Sequence, residues 1–179
     1  MQKGESMRKA TGGLIGGLAA LLLALALVGL ATASNDQRNF KAHLNGAEEV
    51  PERATAARGE AIFQLSSEGT ELHFTVIVAN IENVAAAHIH CGAAGVNGPV
   101  GVTLFGGVPG GGRFDGVLSE GTVTAPDPGN GCGWADLNAV VAALRSGNTY
   151  VNVHTNDGVP PANTGPGDFP GGEIRGQVS

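Results

Sequence analysis

Aromatic residues make up only 4% of this 179-residue chain, whereas 30 residues are glycine and 42% of the chain is hydrophobic. So few large rings cannot fill a large interior, which excludes a multi-domain protein and leaves one modest core in a turn-rich domain. Basic residues are scarce too. Setting aside Lys3, Arg8, Lys9 and Glu5 of an N-terminal leader, seven bases face fifteen acids, so the remaining chain is more acidic than the −6 of the whole. Such a surface repels phosphate backbones, and no Lys/Arg cluster interleaves with aromatics, which excludes nucleic acid as a partner.

Signatures of catalysis are missing as well. There is no Gly-x-Ser-x-Gly elbow. The clusters Gly106-Gly107 and Gly110-Gly111-Gly112 lack the Lys-Ser/Thr of a phosphate-binding loop. Glu48-Glu49 reads as solvated surface rather than an acid/base pair. The expectation is a protein that is not an enzyme.

Beyond residue 33 no apolar run reaches membrane-spanning length. The one long run, Leu14 to Leu30, follows Arg8 and Lys9 and precedes Ala31-Thr32-Ala33, a small-x-small cleavage signal. Residues 1–33 therefore read as a secretory signal peptide. Their alternative is an uncleaved N-terminal anchor, because the run approaches the short limit for crossing a bilayer. Residues 34–179 form one domain outside the membrane, secreted, extracellular or held at the cell envelope. Of its two cysteines, Cys91 and Cys132, an oxidising compartment favours a disulfide; the rival reading has Cys91, next to His90, offering a thiolate to a metal.

Short runs of alternating apolar and polar residues, bounded by Gly, Pro, Asn or Asp, predict strands. They cover 39–44, 60–65, 70–79, 86–90, 99–105, 116–124, 150–155 and 173–178. In the third, Leu72, Phe74, Val76 and Val78 share one face, and Ser67-Glu68-Gly69 before it reads as a hairpin turn. Residues 136–146 predict one short helix, with Asp136 as N-cap, Leu137, Val140, Val141 and Leu144 at helical spacing, and Gly147 as the stop. About eight strands with one late helix predict an all-β fold, a sandwich of two antiparallel sheets.

Ala87-His88-Ile89-His90, Gly95-Val96-Asn97-Gly98-Pro99-Val100, Tyr150-Val151-Asn152-Val153-His154-Thr155 and Gly172-Glu173-Ile174-Arg175-Gly176-Gln177 stand out as blocks. With Leu44-Asn45-Gly46-Ala47-Glu48-Glu49-Val50-Pro51 they resemble the CHRD domain, first described in chordin, from about Phe40 to Val178. The resemblance implies an extracellular, immunoglobulin-like antiparallel β-sandwich acting as a binding or structural module. It brings no catalytic residues. The chain lacks the cysteine-rich modules that flank the domain in chordin, so chordin's protein ligand is not carried over, and the expected partner is an extracellular protein or surface ligand of unknown identity.

The residues themselves add a site. His88 and His90, two apart in a strand, share one face. In the strand 150–155, burying Val151 and Val153 turns Tyr150, Asn152 and His154 the other way. Three convergent imidazoles are a ligand set for copper or zinc, to which Glu173 or Glu82 adds a carboxylate. Tyr150, Asn152, Glu173 and Arg175 are expected to form a ligand-binding surface beside them, against the plainer reading of wet surface charges for the last two. His43 and His73 read as exposed. The alternative function is a copper- or zinc-dependent redox protein, since copper-zinc superoxide dismutase also uses a His-x-His strand and a later strand. That enzyme needs a bridging histidine and further zinc ligands, and no histidine lies between His90 and His154.

Overall fold

The computed structural model describes residues 37–179, so the expected leader lies outside the described residues. Among them no helix is long and apolar enough to cross a membrane. The chain runs β1 (Asn39–Asn45), β2 (Arg58–Leu65), β3 (Leu72–Glu82), β4 (Val84–Cys91), β5 (Val100–Gly106), β6 (Arg113–Val123), α1 (Leu137–Arg145), β7 (Thr149–Thr155) and β8 (Ile174–Gln177). Each element overlaps its predicted run within a few residues. The cap of α1 is the expected one: the Asp136 carboxylate accepts from the Ala139 amide at 2.9 Å, satisfying a helix N–H that has no partner within the helix. Gly147 follows in a left-handed conformation with φ 67°.

All-β architecture, eight antiparallel strands and one short helix are as expected, but the division into two separate sheets is not what the hydrogen bonds describe. All eight strands form one sheet in the order β5-β4-β7-β8-β1-β2-β3-β6. Its two edges come together where Ser119 Oγ of β6 donates to the Leu104 carbonyl of β5 at 2.9 Å. The result is a nearly closed barrel. A short edge-to-edge contact leaves little exposed strand edge for other chains to pair with.

The chain passes from β3 to β4, near opposite ends of the strand order, through the single residue Asn83. Asn83 has φ 54°, a left-handed corner that asparagine tolerates better than most residues. Its side-chain amide secures the corner, accepting from Gly112 N at 2.9 Å and donating to the Gly167 carbonyl at 3.2 Å. So tight a crossing joins the β1-β2-β3-β6 half of the sheet to the β5-β4-β7-β8 half around one interior. Inward residues of both halves share that core: Phe63, Val76 and Val78 from one, Ala87, Ile89, Val151, Val153 and Ile174 from the other. Leu137, Val140, Val141 and Leu144 of α1 complete it. Gly176 lets β8 approach β1, since a Cβ there would overlap the His43 carbonyl.

Cys91 and Cys132 form the expected disulfide, and among the described residues there is no free cysteine. It ties the irregular segment after β6 to the end of β4. Trp134 in the same segment lies over Gly101 of β5, where any side chain would overlap its ring.

The bridge spans a sequence separation of 41, and in the chain-entropy account closing such a loop stabilises the fold by about 4 kcal/mol. The double substitution Cys91→Ser, Cys132→Ser is expected to lower the melting temperature by well over 5 °C, read by circular dichroism. An unchanged melt would contradict this.

Candidate metal centre

Strand β7 is buried on both faces: every residue from Thr149 to Thr155 is buried except His154, which is half-buried. Val151 and Val153 point into the barrel and are fully buried, as is Ile89 of β4. Alternation then sends Tyr150, Asn152 and His154 to the outer face. In the β4/β7 register Ala86 lies opposite His154, His88 opposite Asn152, and His90 opposite Tyr150. Directly opposed residues of an antiparallel pair share a face, so the histidines meet. Ring centroids lie 4.9 Å apart for His88 and His154, 5.5 Å for His88 and His90, and 5.6 Å for His90 and His154.

That outer face does not meet solvent as expected. The segments 92–99 and 156–173 fold over it, leaving His90 7% exposed and His88 and His154 half-buried. Tyr150, Asn152, Glu173 and Arg175, expected as a ligand-binding surface, are likewise on this face but between 0% and 3% exposed. They form a buried supporting layer. Glu173 accepts from Thr55 Oγ1 at 2.6 Å, Thr155 Oγ1 at 2.7 Å and Gly167 N at 2.8 Å. Arg175 donates to Asn97 Oδ1 at 3.0 Å and to the carbonyls of Val96 and Ala93 at 2.9 and 3.3 Å. Neither pairs with the other, and neither is the wet surface charge of the plainer reading. A charge taken out of water must find such partners, and these two do so by binding loops down.

Two backbone carbonyls set the chemistry of the cluster. His90 Nδ1 lies 3.0 Å from the Gly98 carbonyl, and His154 Nδ1 lies 3.0 Å from the Pro170 carbonyl. A carbonyl only accepts, so each Nδ1 carries the proton and each Nε2 keeps a bare lone pair. The two Nε2 atoms are 3.4 Å apart. Two ligands bound tetrahedrally at zinc–nitrogen lengths would stand about 3.3–3.4 Å apart. A ring nitrogen of His88 completes a group whose three donors lie within 4.8 Å of one another. An ion among donors so spaced sits at most about 2.8 Å from each, so movements under about 1 Å bring all three to bonding distance. His88 Nδ1 is buried with no hydrogen-bond partner, and a buried polar atom left unpaired calls for an explanation.

Burial also keeps the rings neutral. Desolvation pushes His90 down to about 4, aided by the nearby His88 and Arg175. It pushes His154 down to about 4 as well, aided by His88 and His90. His88 is lowered by burial, opposed by Asp127. Neutral imidazole is the form that binds a metal.

The support for His90 is layered. Its ring stacks on Tyr150 at 4.9 Å with an interplanar angle of 9°, and the Arg175 guanidinium carbon lies 3.5 Å over the same tyrosine ring. The Tyr150 hydroxyl donates to the Gly98 carbonyl at 3.2 Å and accepts from Gly98 N at 3.0 Å. Asn97-Gly98-Pro99, which reads as a turn from its sequence, thus carries the oxygen that orients His90. Gly98 is needed there, because a Cβ would overlap the Cys91 carbonyl.

Glu173 and Glu82 do not join the cluster: the first is committed elsewhere, and the second is exposed at the end of β3. Cys91 is in its disulfide and offers no thiolate. His43 and His73 are exposed as expected, paired with Glu60 and Glu71. Glu49, read as solvated, is instead buried, with Asn152 Nδ2 donating to it at 3.4 Å. Burial raises it to about 7 against the pull of Arg175. No local pattern in the sequence marks it; the loop that buries it does. The two-metal set of a copper-zinc dismutase has no counterpart, since the three histidines are the one metal-ligating group found among the described residues.

An all-β, disulfide-bonded module with a three-histidine cluster on its covered face is what these elements define. The CHRD domain family model matches residues 40–178. The chain belongs to the CHRD domain family. No curated protein and no solved structure matches the chain.

The lowered histidines give a signed pH dependence for the metal-free domain. Between about 6.5 and about 4 the unfolded chain binds more protons at positions 90 and 154, so stability falls as pH drops through that window. Glu49 acts oppositely: its neutral form contributes stability present below 4.5 and lost as pH rises to about 7. His90→Asn is expected to flatten the acid decline in melting temperature. Glu49→Gln is expected to raise the melting temperature more at pH 8 than at pH 4. Calorimetry across pH in the presence of chelator checks both.

Proposed function

We propose that the domain is an exported, non-catalytic module that holds one transition-metal ion, copper or zinc, on His88, His90 and His154. The observation that carries this reading is the pair of Nε2 lone pairs, aimed at each other 3.4 Å apart, with both Nδ1 atoms engaged by carbonyls. Without an ion or a bridging proton, two acceptors confront each other, and burial disfavours the proton. Second-shell carbonyls of this kind fix a histidine ligand's tautomer and ring orientation. The disulfide fits an exported protein. For sites of this donor type copper(II) binds more tightly than zinc.

Titration of untagged protein with zinc or copper(II), followed calorimetrically and by elemental analysis, is expected to give one ion per chain. His90→Ala or His154→Ala should weaken binding at least 100-fold, while His43→Ala and His73→Ala should leave it unchanged. Tyr150→Phe, which removes the hydroxyl that holds the Gly98 peptide groups in place, should cost about tenfold, at the lower end for outer-shell changes. Equal effects of the exposed and clustered histidines would refute the assignment.

A further inference from the structure

Two carboxylates near the cluster are held on both oxygens, and a third on one oxygen only. Asp127 accepts from the amide of Thr103, the residue opposite His88 in the β4/β5 register, at 3.1 Å and from Thr103 Oγ1 at 2.7 Å, one bond to each oxygen. Glu173 is held by two threonine hydroxyls and the Gly167 amide. Glu49 faces Asn152. The two cysteines are joined to each other. Among the described residues the donor group therefore stops at three neutral nitrogens. A structural zinc site closes its tetrahedron with four protein ligands, whereas three protein ligands leave a position for water or another small molecule.

Access and charge point the same way. His90 is buried, while His88 and His154 each keep partial exposure. Three neutral imidazoles cancel none of a divalent ion's charge. The buried guanidinium of Arg175, stacked on the Tyr150 ring that also stacks on His90, adds a fixed positive charge nearby. The surface as a whole is acidic and weakens long-range attraction of anions, so the preference is set at short range. We infer that a divalent metal ion held by His88, His90 and His154 keeps an exchangeable fourth position, occupied by water and open to small anions. This rests on the metal-binding reading above and specifies what the bound ion can do: exchange a ligand without leaving the protein.

Untagged full-length protein loaded with cobalt(II), a spectroscopic stand-in for zinc, provides the test. Metal content is read by elemental analysis after gel filtration, and the visible absorption is then titrated with sodium azide. The expected result is one cobalt per chain, a saturable 1:1 change in the visible bands, and full metal retention on a second gel filtration. One cobalt per chain with a spectrum unmoved by azide would overturn the exchangeable position and leave the metal site standing. Loss of cobalt into solution on adding azide would overturn it too, since the anion would then have displaced the protein's ligands. Failure to bind cobalt, zinc or copper at all would remove the metal reading, and this inference with it. His88→Ala serves as a second probe. With one protein nitrogen fewer, azide should change the bands of this variant's cobalt form with a stoichiometry above one, and an unaltered 1:1 response would contradict the three-ligand count.

Discussion

Burial of β7 on both of its faces is the constraint on which the arrangement depends. One face carries Val151 and Val153 into the barrel. The other cannot be apolar as well, because alternation has put Tyr150, Asn152 and His154 there, and polar groups taken out of water must find partners. The loops that fold over this face supply most of them, segment 92–99 through Arg175 and the Tyr150 hydroxyl and segment 156–173 through Glu173 and the Pro170 carbonyl, while Asn152 meets Glu49 and keeps its Oδ1 unpaired. The covering loops and the covered side chains stabilise one another, and the histidine cluster is held inside this mutual arrangement.

The same layer explains why the imidazoles have a definite chemical form. In open solvent a histidine exchanges tautomers and gains a proton near neutral pH. Here backbone oxygens choose the tautomer of His90 and His154, and desolvation lowers their proton affinity. Backbone carbonyls suit this task, since they carry no titratable group and are fixed by the fold. The preorganised lone pairs therefore depend on loop placement as much as on the histidines.

The strands, the α1 caps, the β2/β3 hairpin and the meeting of His88, His90 and His154 were legible because they follow from local alternation and turn chemistry. Ile89, Val151 and Val153 set the register, and a period of two does the rest. The two-sheet expectation gave way to a single nearly closed sheet because strand order is a long-range property: nothing in the residues around Asn83 announces that β3 and β4 lie near opposite ends of the order. Tyr150, Asn152, Glu173, Arg175 and Glu49 were misplaced at the surface for a related reason. Polarity in an alternating strand marks a face unlike the core, and only the paths of distant loops decide whether that face is wet. The roles of Gly98 and Pro170 lie in their carbonyl oxygens, which every residue has, so no residue type marks them.

Strand order carries a further consequence for how the domain comes into being. β8, which follows all the other strands in the chain, lies in the interior of the sheet between β7 and β1. Neither half of the sheet is a continuous stretch of sequence, since β6 belongs with the first three strands and β4 and β5 belong with the last two. The β1-β2-β3-β6 half has all its strands once β6 has been made, whereas the β5-β4-β7-β8 half lacks a member until the final strand appears. The nearly closed barrel therefore cannot be completed before β8 has been made, because β8 is the strand that joins β7 to β1.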